Sequence, residues 1–121
     1  MNLHNQGDLV NAVSMAADIT SDAIDMESFR DGSIHLISAS GARGGTIELL
    51  GSNDLDIASA SWPVLTLEGG DTTIAVTAAS AFNHMINLFA VGCRYIAIRF
   101  NDVASGAGTL RAIAYRKVVN R

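Results

Sequence analysis

Apolar and polar residues alternate along this chain in short runs, and each run is cut off by glycine, serine, asparagine or aspartate. No other feature constrains the fold as much. Side chains of an extended strand point to opposite faces with a period of two, so a short alternating run offers one face to a core and one to the outside. Residues 32–38 carry Ile34 and Leu36 on one face, and 46–50 follow after Ser40-Gly41-Ala42-Arg43-Gly44-Gly45, a connection that favours a hairpin. Residues 64–67 and 72–77 flank a second turn signal, Glu68-Gly69-Gly70-Asp71. Residues 95–100 and 109–115 enclose 101–108, a loop of small and turn-forming residues.

Two stretches carry mixed signals. Leu9, Val13 and Ala16/Ala17 fall at helical spacing, yet residues 19–26 are β-compatible, and two strands are expected across the region. Residues 78–90 contain helix formers, but Phe82, His84, Ile86 and Leu88 alternate with Asn83, Met85 and Asn87, which predicts a strand. Roughly 7–9 short strands joined by Gly/Ser/Asp turns predict an all-β fold, an antiparallel β-sandwich or jelly roll. Residues 18–121 form the sandwich domain, preceded by residues 1–17 as an N-terminal arm or as the first strand.

At 121 residues the chain is long enough to bury one core. With 49% hydrophobic but only 6% aromatic residues, Ile, Leu, Val and Ala must fill it. No stretch approaches the ~20 apolar residues that span a bilayer, and Met1-Asn2-Leu3-His4-Asn5-Gln6 has neither the basic start nor the apolar run of a signal peptide. Synthesis and folding in the cytoplasm are expected. The single cysteine, Cys93, cannot form an intramolecular disulfide and reads as a small buried hydrophobe.

The net charge of −4 hides an asymmetry. Residues 1–71 hold eleven acids and two bases, Arg30 and Arg43, whereas residues 72–121 hold one acid, Asp102, and six bases. Such halves suit intramolecular pairing or head-to-tail contact between copies. An acidic chain without a concentrated basic cluster is a poor nucleic-acid binder.

Few residues carry a chemical signature. His4, His35 and His84 have no metal-ligand spacing; His35 is expected on an outer face and His84 on an inner one. Asp18, Asp22 and Asp25, and Asp54 with Asp56, match no calcium-loop pattern and read as turn and surface aspartates. Gly41-Ala42-Arg43-Gly44-Gly45 lies between strands and does not open a helix, so it lacks the helix-terminus mechanism of a phosphate loop. No catalytic residue, metal site or cofactor is expected, and the chain reads as a non-enzyme.

One constellation suggests an interaction face. If the last two strands pair across 101–108 with Arg99 opposite Arg111, Tyr95 falls opposite Tyr115, and all four share a face with Lys117. Like charges directly opposite each other destabilise a sheet, so that face would call for an acidic partner, or a carbohydrate stacked on tyrosine. A one-residue shift of register would scatter the group.

Ile47 to Asp54, followed by Trp62 and Val64-Leu65, resembles the strand, Ser-Asn-Asp turn and Trp strand of discoidin-like (galactose-binding-like) sandwiches; Gly92 to Phe100 and Leu110 to Tyr115 resemble their later strands. The order of several motifs over residues 18 to 117 is similar to small structural proteins of tailed bacteriophages. These are Ile19 to Asp25, Ser52-Asn53-Asp54, Gly92-Cys93-Arg94-Tyr95 and Ser105-Gly106-Ala107-Gly108-Thr109-Leu110. That resemblance implies a non-enzymatic virion protein, a capsid decoration or cement subunit or a head–neck assembly subunit, whose partners are copies of itself, the major capsid protein or other virion proteins. The alternative it implies is a carbohydrate-binding adsorption module for host-surface glycan. Loops 40–45, 68–71 and 101–108 hold no Trp, Tyr or Phe, which favours assembly over sugar binding.

Overall fold

A computed structural model describes residues 4–26, 31–38, 44–67, 70–76, 82–88, 92–102 and 108–117, and among these, nine strands form, most of them where the alternation predicts. They are β1 His4–Ser14, β2 Ile19–Thr20, β3 Ile24–Asp25, β4 Asp31–Ser38, β5 Gly45–Ser52, β6 Ile74–Val76, β7 Phe82–Leu88, β8 Tyr95–Asp102 and β9 Thr109–Lys117. A four-stranded sheet runs β1-β9-β4-β7. A five-stranded sheet runs β2-β8-β5-β6, with β3 also on β8. All pairings are antiparallel. The chain crosses repeatedly from one sheet to the other, which is the order of a jelly roll.

The core lies between the sheets. Ile34, Leu36, Ile86, Leu88, Leu110, Ala112 and Ala114 from one sheet meet Ile47, Leu49, Val76, Ile96, Ile98 and Phe100 from the other. Among the described residues Phe100 is the one aromatic of this cluster, so aliphatic side chains fill the interior as the composition requires. Burying such a side chain is worth about 1.5–3 kcal/mol.

β2 and β3 are one strand interrupted. At the break, Ser21 Oγ accepts from the Ile98 amide at 2.9 Å and the Ser21 amide donates to the Ile98 carbonyl at 3.0 Å, so a side chain stands in for part of the ladder. The outer edges of the four-stranded sheet differ. β1 is irregular, with register shifts between Asp8 and Val10 and between Val10 and Val13, and Ala12 at φ 52°. Bulges of this kind twist an edge away from further pairing. β7 pairs with β4 without a shift over its whole length.

The two hairpins expected from turn residues do not form. β4 and β5 lie in different sheets. Residues 64–67 make one isolated bridge, Leu50 to Val64, and β6 pairs with β5 instead. The turn between them is real: the Leu67 amide donates to Asp71 O (2.7 Å) and the Gly70 amide to Leu67 O (3.0 Å).

Candidate interaction surfaces

β8 and β9 also lie in different sheets, and this removes the expected pairing of Arg99 with Arg111. Both strands are apolar on one face, Ile96, Ile98 and Phe100 on β8 and Leu110, Ala112 and Ala114 on β9. Opposite sheets let those faces pack against each other across the core. Each arginine thereby escapes its like charge. Arg99 sits in register with Glu48, and Arg111 reaches Asp8 on β1. Tyr95 and Arg99 belong to the outer face of the five-stranded sheet, Arg111 and Tyr115 to that of the other. Lys117 ends β9 in register with His4 and Asp31, its side chain outside the described residues. The five residues do not form one face.

The outer face of the five-stranded sheet is lidded by the segment after β5. Leu50 and Ala97 point away from the main core, yet they are fully buried beneath Trp62, with Val64 and Tyr95 packed alongside. The lid is held at many points. Ser52 Oγ accepts from the Asp54 amide (2.9 Å), Asp54 Oδ1 from the Asp56 amide (2.9 Å), and Asn53 Oδ1 from the Arg94 amide (2.9 Å). Trp62 Nε1 donates to Ile57 O (2.8 Å) after a single 3₁₀ turn, Ser59–Ser61. Leu65 and Gly51 amides donate to Leu49 O and Pro63 O, stitching the lid to the edge of β5. Glu48 Oε1 accepts from Arg99 Nη2 (2.9 Å), Arg99 Nε (3.0 Å) and Asn101 Nδ2 (2.6 Å), while Arg99 Nη1 donates to Ala60 O (2.9 Å). Half-burial makes this charge-assisted cluster stronger than a surface pair.

Out of this braced loop project Leu55 and Ile57, 57% and 47% exposed. The carboxylates of Asp54 and Asp56 flank them, and neither is in an ion pair among the described residues.

The outer face of the four-stranded sheet has no such cover among the described residues. Met85, His35 and Ile113 are direct neighbours across β7, β4 and β9, with Ile37 and Tyr115 on the same face. Met85 is 48% exposed and the others partly so. His35, on the outer face as expected, shares a 2.5 Å hydrogen bond with Asn83. Arg111, 51% exposed, donates Nε to Asp8 Oδ1 at 3.2 Å.

The ends and edges add detail. Arg94 bridges Asp25 at 3.3 Å and lies over the Tyr95 ring, 5.1 Å from its centroid; Tyr95 in turn meets Trp62 at 6.4 Å. All three described ion pairs, 25–94, 48–99 and 8–111, join the acidic part of the chain to the basic part. The open edge between β6 and β7 forms a cleft of ≈590 Å³ lined by Leu67, Ile74, Ile86, Asp71, Thr73 and His84, among others. His84 has the inner parity expected of it but is exposed there, because β7 is the last strand of its sheet. At the other edge, β1 and β2 frame a cleft lined in part by Asp8, Asp18 and Asp22. Asp8 is engaged by Arg111, and Asp18 accepts from the Asp102 amide. Among the described residues no group of three or more His, Cys, Asp or Glu side chains is placed to hold a metal ion. Cys93 is half-buried, its Sγ near Tyr95 O (3.4 Å), and burial pushes the thiol pKa up. No described helix is long and apolar enough to cross a membrane.

No protein-family model matches this chain, and no curated protein does. Solved structures share its fold, two of them with TM-scores above 0.5. One is the SPBc2 prophage-derived protein YomS, with TM-score 0.55, 5% identity, and 96% of each chain covered. The other comes from the Bacillus endospore appendages, a novel family of disulfide-linked pili, with TM-score 0.55, 13% identity, and 99% of this chain and 92% of that one covered.

Proposed function

We propose that this chain is a non-enzymatic structural protein of a bacteriophage particle, a capsid decoration (cement) or head–neck assembly subunit, that works through protein–protein contacts with its own copies or with other virion proteins. The observation that carries the reading is the outer face of the four-stranded sheet, which has no lid among the described residues. An antiparallel sheet that faces water carries polar side chains there; among polar neighbours such as Asn83, His35 and Arg111 this one also presents Met85, 48% exposed, with Ile37 and Ile113 partly exposed beside it, while the opposite face has its own lid. Adjacent apolar side chains left at the surface in this way support a contact surface there. The fold it shares with a prophage-derived protein and with a pilus-forming one supports the reading, as does the order of phage-like motifs over residues 18 to 117.

The glycan-binding alternative gains no comparable support. Trp62, the aromatic that follows the Ser-Asn-Asp turn, is 3% exposed and offers no open face to a pyranose. Size-exclusion chromatography with light scattering, and co-sedimentation with empty phage capsids, test the proposal. Self-association or saturable capsid binding is expected, and a strict monomer that ignores capsids overturns it.

A further inference from the structure

We propose that copies of this chain stack head to tail, the 54–57 loop of one docking on the outer face of the four-stranded sheet of the next. The inference rests on the assembly role above and gives it a specific contact. Three observations carry it.

The loop is built before it meets a partner. Hydrogen bonds to Ser52, Asp54 and Ile57, with the buried Trp62 beneath, hold it in one shape while Leu55 and Ile57 stand exposed. Ordering a loop on binding costs free energy, and this one is already ordered.

The receiving face offers an exposed apolar side chain beside an exposed guanidinium. Met85 and Ile113 supply apolar surface to Leu55 and Ile57. Beside them, Arg111 engages Asp8 through Nε. A guanidinium has five N–H donors, so its two terminal nitrogens are available to Asp54 or Asp56 of the incoming loop.

The two patches lie on opposite outer faces, so one molecule cannot bring its own loop to its own receiving face. Contact between different patches is heterologous and propagates into rings or open filaments, whereas a self-complementary patch would stop at a dimer.

The test uses two variants on the intact chain, a loop variant (Leu55→Asp with Ile57→Asp) and a face variant (Met85→Asp with Arg111→Ala), each checked for a native melting transition by circular dichroism. Light scattering should show wild-type mass rising with concentration and a dissociation constant raised about 30-fold or more for either variant alone. Mixed in equal amounts, the variants retain one intact loop and one intact face between them, so they should form dimers that grow no further. A loop variant or face variant that assembles like wild type overturns the stacking model while leaving self-assembly standing. A mixture that stays monomeric, although wild type assembles, also overturns it. Wild type that binds capsids yet stays monomeric refutes stacking and spares the broader proposal, and wild type that does neither refutes both.

Discussion

On the five-stranded sheet Leu50 and Ala97 point away from the core and are still fully buried; on the four-stranded sheet Met85 points away from the core and is 48% exposed. The strands carrying them obey the same alternation. What differs is the 21-residue connection between β5 and β6, whose residues 53–67 fold back over their own sheet. Connections beyond about 12–15 residues without regular structure are uncommon and usually functional. This one makes a second small core under Trp62, so outward-facing apolar residues become structural on that side. On the other side the same kind of residue stays on the surface. The comparison separates side chains that hold the monomer together from those available to a partner, and it can be broken by mutation.

The largest effect is expected at the lid. Trp62→Ala removes a buried ring from between Leu50, Ala97 and Tyr95, and leaves Ile57 O without its indole donor. Losses of about 3–5 kcal/mol are usual for such a truncation. For a chain of this size that is a fall in Tm of about 10–20 °C, read by circular dichroism. A loss below about 1 kcal/mol would mean the lid is an appendage, and the contrast between the faces would disappear.

Glu48 comes next. Its single Oε1 serves Arg99 and Asn101, and Arg99 in turn holds Ala60 O of the lid. Glu48→Ala strands a half-buried guanidinium and should cost about 1–3 kcal/mol. Glu48→Gln keeps an acceptor and should cost less. Urea titration of both variants gives the order, and equal costs would assign the effect to the charge alone.

Cys93 packs at the foot of the lid, where a side chain on Gly51 would meet its Sγ at 2.7 Å and Leu65 at 2.8 Å. Burial raises the folded thiol pKa above its unfolded value. Between those two values the folded chain binds more protons than the unfolded one, so stability is fully present below the unfolded pKa and is lost as pH rises through the folded one. Denaturant midpoints should therefore fall on the alkaline side of the ordinary thiol range, and Cys93→Ala should flatten that fall. An unchanged alkaline slope in the variant would place the titration elsewhere.

How much of this was legible beforehand follows from where each signal resides. Strand positions are local, and β4, β7, β8 and β9 lie where Ile34/Leu36, Ile86/Leu88, Ile96/Ile98 and Leu110/Ala112 alternate. Partnership is not local. Gly-rich connections suit a hairpin and a crossover equally well, and here β4 and β5, and likewise β8 and β9, lie in different sheets. The Tyr95, Arg99, Arg111, Tyr115 and Lys117 group depended on a partnership of that kind and dissolved with it. The charge asymmetry did carry usable information, since Arg99 and Arg111 each found a carboxylate from the acidic part, Glu48 and Asp8. The lid had one signal, Trp62 in a long stretch of small and acidic residues, but nothing in its spacing said which face it would cover.

The smallest effect on the monomer is the most informative about the bare face. Met85→Gln exchanges one flexible, exposed side chain for a polar one of similar length on an edge strand, in register with His35 and clear of the core. Surface substitutions of this type stay within about 0.5 kcal/mol, so the melting transition should not move. Association should weaken all the same, because Met85 loses its apolar contact with a partner. A stability loss matching that of a core residue would show that the face is covered within the chain. Unchanged stability combined with weakened association assigns Met85 to the contact between molecules, the role that Trp62 plays inside one.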